Sequence, residues 1–403
     1  METFESAADL LRVRRPERPV LCMRPHAARR AARWFLDRFP GVVAYAVKAN
    51  DSSVITAALV EEGIRHFDVA SLAEAERMAR VPGATLYLMN PIKSRETIRR
   101  AYFNLGIRHF SLDSHDELDK ILQVTGNAPD LALYVRLACS NEHSLIPLEG
   151  KFGVGRAEAP ALLMRARQAA QKLGITFHVG SQSVKPESYT AALRQTQDLI
   201  REAGVIVDAI DIGGGFPSRY VSSEPPQLSA FMSEISVQLE KLAVGESCEF
   251  MCEPGRALVA EAESVLVRVD ARRGDYLYIN DGAFGTLFDA AVSGFTFPAR
   301  LVRPEPGEVA PLQPFGLYGP TCDAMDRMPG PFMLPGCVRE GDYIEIHQIG
   351  AYGRVFANSF NGFGDHIEAV LTDEPVSTMY PDAGKTAART RATRAGSVRR
   401  VRR

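Results

Sequence analysis

HFDVA at 66–70, TLYLMN at 85–90, HFSLD at 109–113 and LALYVRL at 131–137 are short runs rich in apolar, β-branched and aromatic residues, each followed by a helical stretch. A polar residue stands near the end of each run, and the steps from Asp68 to Asn90 to Asp113 to Arg136 are 22, 23 and 23 residues. That interval holds one strand and one returning helix, so the runs read as successive β/α units of a parallel sheet. The rhythm continues outward in both directions. VVAYAVKA at 42–49 precedes these runs, and ITFHVG at 175–180, DAIDIGG at 208–214 and EFMCEP at 249–254 follow them. Eight units predict an α/β fold built on a closed (β/α)8 barrel of the TIM type, whose chemistry sits at the C-terminal ends of its strands. Lys48, Asp68, Asn90, Asp113, Arg136, His178, Gly213 and Glu253 all fall at such ends.

After Arg256 the pattern changes to strands without long helices. AESVLVRVDARR, DYLYINDG, TFPARLVRP, PFGLYGP and DYIEIHQIGAYG are separated by Gly and Pro, which predicts a second, mostly antiparallel β domain. The expected division is a barrel over 25–256, with 1–24 and 257–380 forming the β domain. Residues 384–403 hold eight basic side chains and no acid, in an Ala/Thr-rich context with no large apolar residue to anchor it. The segment 381–403 is therefore expected to be a disordered basic tail.

The composition bounds the function. The chain has 403 residues, 46% hydrophobic and 24% charged, which is globular and long enough for more than one domain. The formal net charge is −2, so removing the eight tail cations leaves about −10 on the body, which argues against a nucleic-acid enzyme. No run approaches the roughly 18 apolar residues of a membrane span, and METFESAADL carries acid where a signal peptide carries an apolar core. Six scattered cysteines, with no histidine near Cys248 and Cys252, predict reduced thiols, no metal site and a cytoplasmic location.

Four elements carry chemistry. Lys48, in YAVKAN (45–50), ends a strand expected to be buried, where an ammonium needs a reason; it is a candidate Schiff-base lysine, or else a strand-end lysine reaching solvent. Asp211-Ile212-Gly213-Gly214-Gly215-Phe216-Pro217 places three glycines after a strand, suited to a phosphate nest or to a tightly packed turn. Glu253-Pro254-Gly255-Arg256 ends the eighth strand with a carboxylate and an arginine, which form either an internal ion pair or a ligand set for a pyridinium nitrogen and a phosphate. His178, in HVGSQ (178–182), can lie flat against a cofactor ring or serve as a structural strand-end group. Together, lysine, glycine nest, carboxylate and imidazole point to pyridoxal phosphate.

These motifs resemble the fold-type-III pyridoxal-phosphate-dependent decarboxylases, and within them the ornithine decarboxylase branch. The resemblance runs from about residue 18 to 372 through YAVKAN, FDVAS, HVGSQ, DIGGGFP, CEPGR, INDG, YGPTCDAMD, GAYG and SFNGF. It implies that Lys48 binds the cofactor covalently, that His178 stacks on its ring and that Glu253 bonds the ring nitrogen. Ser181, Gly213, Gly214, Gly215, Arg256 and Tyr352 resemble the phosphate contacts, and Asp68 and Arg136 match a pair supporting the site. Cys322 and Asp323 are similar to residues lent across a homodimer interface, with Cys322 placed to protonate Cα. Lys151 and Asp326 match positions that pair across that interface. Asp281, Cys322, Asp323 and Phe360 fall at positions implied for the substrate.

The branches differ at the substrate's far end. Diaminopimelate enzymes carry Cys-Glu after GP and an arginine just beyond the equivalent of Asp281-Gly282. This chain has Cys322-Asp323, and 281–288 contains no arginine. Two aspartates, Asp281 and Asp323, suit a terminal ammonium and would repel a carboxylate. Gln182 departs from the glycine of animal ornithine enzymes and matches the diaminopimelate branch. The expected activity is decarboxylation of L-ornithine to putrescine in polyamine biosynthesis, with a lysine or dual lysine/ornithine decarboxylase as the alternative. A diaminopimelate decarboxylase, and a non-catalytic regulatory homologue, stand further off.

Overall fold

The computed structural model describes residues 1–305 and 307–381. Among these, eight parallel strands close into a barrel in chain order. They are β1 (Val42–Ala46), β2 (His66–Val69), β3 (Thr85–Leu88), β4 (His109–Leu112), β5 (Ala132–Arg136), β6 (Lys172–Thr176), β7 (Ala209–Asp211) and β8 (Glu249–Cys252). The last of them, β8, pairs back onto β1. The basic tail expected over 381–403 lies, from residue 382 onward, outside the described residues.

Local chemistry starts the early helices of the barrel. Ser52, Ser71, Ser94 and Ser114 each follow a strand, and each hydroxyl accepts from the N–H three residues on. Two of them, Ser71 with Glu74 and Ser114 with Glu117, have the S-x-x-E pattern of a capping box. The helix Pro25–Arg38 turns Ala27, Ala28, Ala31, Ala32, Trp34 and Phe35 inward, an amphipathic face buried in the barrel's outer core. Inside the barrel, Ala44, Tyr87, Ala132, Tyr134, Ala209 and Met251 fill the space with side chains, so the interior is a core and not a pore.

The sixth strand begins three residues earlier than the expected 175–180. Its Gly174 turns a bare face to the barrel interior, where an added Cβ would sit 2.4 Å from the Tyr134 ring. A glycine that reads as a strand breaker is therefore the space that admits Tyr134. Phe177 to Gly180 leaves the strand, with Gly180 at φ +90°, and carries His178 into the barrel mouth.

The second domain is a nine-stranded, mostly antiparallel sheet among the described residues. Its centre is Glu263–Arg273, which pairs antiparallel with Val20–Met23, Tyr276–Ile279 and Tyr343–Ile346. Arg327–Pro335 contains Pro329, Pro331 and Pro335 and was not expected as a strand; it lies at the sheet edge, where missing N–H donors are tolerated. Buried Arg24 ties strands together by donating to Glu345 at 2.9 Å, Ser264 at 2.8 Å and Asp373 at 2.9 Å. Among the bonds that dock the domain onto the barrel mouth, Tyr352 N donates to Ala49 O at 2.8 Å, Asn50 Nδ2 to Gly350 O at 2.7 Å and Arg354 Nε to Asp51 Oδ1 at 3.1 Å. No helix of the described residues is long and apolar enough to cross a membrane.

Candidate active site

Lys48 does not lie within β1. The strand ends at Ala46, and Val47–Ala49 form a single 3-10 turn that lifts the lysine to the barrel mouth. Its Nζ donates to Asp68 Oδ2 at 2.7 Å, from a side chain 41% exposed to one that is 2% exposed. Desolvation disfavours the ammonium, but Asp68, with Tyr352 and Glu253 nearby, outweighs it and holds the lysine above its ordinary pKa.

His178 is neutral. Burial, followed by the charges of Arg136 and Lys48, pushes its pKa well below the usual value. Its Nδ1 accepts from Gly180 N at 3.1 Å, and its carbonyl accepts from Asn141 Nδ2 at 3.0 Å, which fixes both ring and backbone. Beside it runs the glycine turn. A Cβ on Gly214 would sit 2.7 Å from Glu253 O and 3.1 Å from His178 Nε2, and Gly213 and Gly215 adopt φ of +66° and +100°. Only glycines fit there, and they leave backbone facing the cleft.

Arg256 closes the far side. Its buried guanidinium donates to Tyr220 Oη at 2.8 Å, to Asp289 Oδ2 at 3.2 Å and to Ser181 Oγ at 3.4 Å, and it lies 4.9 Å from the Tyr352 ring centre. Its Nε is buried without an acceptor among the described residues. The structure thus gathers Lys48, His178, Ser181, Gly214, Gly215, Glu253, Arg256 and Tyr352 around one narrow cleft, with Gly213 turning beneath it. This cleft opens into a cavity of about 490 Å³ whose wall includes Asp68, Asn90, Arg136, Phe152 and Asp289. Bare glycine backbone, an arginine with a spare donor, a neutral flat imidazole, a buried carboxyl and an amine fit a phosphorylated pyridine carrying an aldehyde.

The remaining expected residues do not line this cavity within one chain. Asp281 is buried, and its carboxylate accepts from Gly282 N at 2.9 Å, from Thr286 N at 3.1 Å and from Thr286 Oγ1. The turn after Asp281-Gly282 consumes its acceptors, so the structure does not offer it to an ammonium. Cys322 and Asp323 lie on an exposed loop, where Cys322 N donates to Asn361 Oδ1 at 3.1 Å and Asp323 Oδ1 accepts from Met325 N at 2.8 Å. Phe360 belongs to the same group, its ring 5.0 Å from that of Phe284. Asp326 is 2% exposed and accepts within its own chain from Ala283 N at 2.7 Å and Thr321 Oγ1 at 2.7 Å, while Lys151 lies over Phe152. Gln182 is buried and accepts from Ser218 N at 2.9 Å, pinning the Ser181 loop to the segment after the glycines. Its amide Nε2 also donates to Ser223 Oγ at 3.4 Å, so both ends of the side chain serve loop geometry.

Sequence reading missed Asp289, the cavity-wall acid held by Arg256, and Tyr220, which bonds the same guanidinium. Asp289 sits in the four-residue helix Phe288–Ala291, too short to show a period, and Tyr220 in an irregular segment, so no local signal marks either.

Comparison with known proteins agrees with this geometry. Residues 26–260 match the family model described as pyridoxal-dependent decarboxylase, pyridoxal binding domain. An ornithine decarboxylase from Panagrellus redivivus is 33% identical over 345 residues, covering 79% of this chain and 77% of the relative. A lysine/ornithine decarboxylase from Selenomonas ruminantium is 32% identical over 343 residues, covering 83% of this chain and 84% of the relative. The crystal structure of a Vibrio vulnificus lysine/ornithine decarboxylase complexed with putrescine superposes with a TM-score of 0.77 at 27% identity, covering 91% of this chain and 99% of that one. The cofactor is pyridoxal phosphate, and the chain belongs to the pyridoxal-dependent decarboxylases.

Proposed function

We propose that this enzyme decarboxylates L-ornithine to putrescine, a step of polyamine biosynthesis, in active sites shared across a homodimer in the cytoplasm. The observation that carries the reading is the Cys322-Asp323 pair, with Cys322 exposed, bonded to the Phe360 loop and absent from the walls of its own chain's cavity. A second copy gives these residues a site to complete. Asp323, together with Asp289 in the cavity wall, offers acids to a distal ammonium. Six unpaired cysteines suit a reducing compartment.

In this reading Lys48 would hold the cofactor through Nζ, the amine that Asp68 positions at the barrel mouth. When bound, pyridoxal phosphate supplies an electron sink for the pair of electrons left at Cα. Ser181, Gly213, Gly214, Gly215, Arg256 and Tyr352 would hold the phosphate, His178 would support the ring, and Glu253 would serve the ring nitrogen. Asp68, on the adjoining strand β2, and Arg136, at the end of β5, would support Lys48 and the ring. Cys322 of a second copy returns a proton to Cα.

Lysine is the second reading, favoured by the dual-specificity relative from Selenomonas ruminantium. One methylene in a pocket discriminates by only about 1–3 kcal/mol, so the two substrates need direct comparison. The test is carbon dioxide release from ornithine, lysine and meso-diaminopimelate in parallel. Preference for ornithine supports the proposal, preference for lysine selects the second reading, and efficient turnover of diaminopimelate rejects both.

A further inference from the structure

Glu253 has a second buried acid, Asp211, on the neighbouring strand. It follows β8 directly, and its N donates to Gly213 O at 2.8 Å, so it is bound to the segment leaving β7. Asp211, the last residue of β7, is fully buried on the neighbouring strand, where it pairs with Met251, two residues before Glu253. Asp211 already accepts from Thr176 Oγ1 at 2.6 Å and from Gly213 N at 2.9 Å. Glu253 Oε1, by contrast, is buried without a donor among the described residues.

Two ionised carboxylates buried at neighbouring strand ends inside a barrel repel strongly, and a third, Asp68, adds to the repulsion. One proton between the two removes the repulsion and satisfies the oxygen that lacks a donor. The other groups facing the pair are Lys48 and Arg136, which favour charge on Glu253, and the uncharged Tyr134, Tyr87 and Cys252. Burial drives both acids upward, Asp211 to about 7.

We propose that Asp211 and Glu253 hold a single proton between them, and that Asp211 takes this proton when Glu253 turns its charge to the ring nitrogen of the cofactor. Asp211 is then a positioning residue. Protonated, it donates to Glu253, keeping that carboxylate ionised and aimed at the ring N–H. The proton crosses one hydrogen bond from Glu253 to Asp211, the ring N–H replaces it at Glu253, and the pair keeps one proton throughout. The inference rests on the pyridoxal cofactor and not on the choice of diamino acid, so it stands or falls separately from the ornithine assignment.

The test uses cofactor binding to the empty protein and infrared spectroscopy of the loaded protein with isotope-labelled aspartate. Asp211→Asn, a neutral donor of the same shape, should bind pyridoxal phosphate within about threefold of the unmodified protein. Asp211→Ala should bind roughly ten- to a hundredfold more weakly, because Glu253 loses its donor. The loaded unmodified protein should show a protonated aspartate carboxyl that Asp211→Asn lacks. Binding by Asp211→Asn as weak as by Asp211→Ala, equal affinity of all three proteins, or no such carboxyl would each overturn the proposal.

Discussion

Lys48 Nζ and Asp68 Oδ2 meet at 2.7 Å across the ends of neighbouring strands, and this ion pair keeps the lysine charged. Covalent capture of an aldehyde needs the neutral amine, so Asp68 sets the pH at which the lysine becomes nucleophilic. In Asp68→Asn the lysine's pKa should fall, and the rate of pyridoxal phosphate capture should rise at lower pH than in the unmodified protein. Stopped-flow absorbance across a pH series reads this directly; an unmoved profile would show that Asp68 does not control Lys48.

Arg256 reaches Tyr220, Asp289 and Ser181 from one planar guanidinium. A lysine offers neither that fork nor its stacking against Tyr352. Arg256→Lys should weaken cofactor affinity by roughly ten- to a hundredfold with the fold intact, as measured by titration and circular dichroism.

Acid should destabilise the protein in a defined window. Burial, with the nearby Lys172, lowers His109 to about 4, and burial with Arg24 and Arg300 lowers His347 to about 4. Each is neutral when folded and takes up its proton near pH 6.5 when unfolded, so the unfolded state binds more protons between those limits. Their contribution is present above pH 6.5 and lost as the pH falls toward 4. The melting temperature should drop across that interval, and in His109→Gln the accompanying loss of unfolding free energy should be smaller by up to about 3 kcal/mol, at about 1.4 kcal/mol per pH unit. A flat profile down to pH 4 would contradict the buried neutral histidines.

Sharing of the active site predicts complementation. Lys48→Ala and Cys322→Ala should each be nearly inactive alone. Mixed by co-refolding in equal amounts, they should form about half heterodimers, each with one intact site, and restore roughly a quarter of normal activity. Confirmed subunit exchange without recovery would place Lys48 and Cys322 in the same site of the same chain.

The barrel was legible because its strands are contiguous apolar runs at a near-constant interval, and the cofactor cleft because its residues stand at or just past strand ends. The β domain was only partly legible. Arg327–Pro335 is broken by prolines, and Ile367–Leu371 pairs with Val20–Met23 from the opposite end of the sequence. Asp281 misled because an acid beside a family motif does not reveal that its oxygens are consumed by the following turn. The place of Asp289 in the cavity wall and the burial of Asp211 and Glu253 on neighbouring strands arise from tertiary packing, which no local spacing encodes.

The account turns on Lys48 as the residue that carries the cofactor. Borohydride reduction of the loaded protein, followed by peptide mass spectrometry, fixes the cofactor to whichever amine holds it. A single pyridoxyl group on the peptide containing Lys48, absent from Lys48→Ala, is the predicted result. A pyridoxyl group on another lysine, with Lys48 unmodified, would contradict the account.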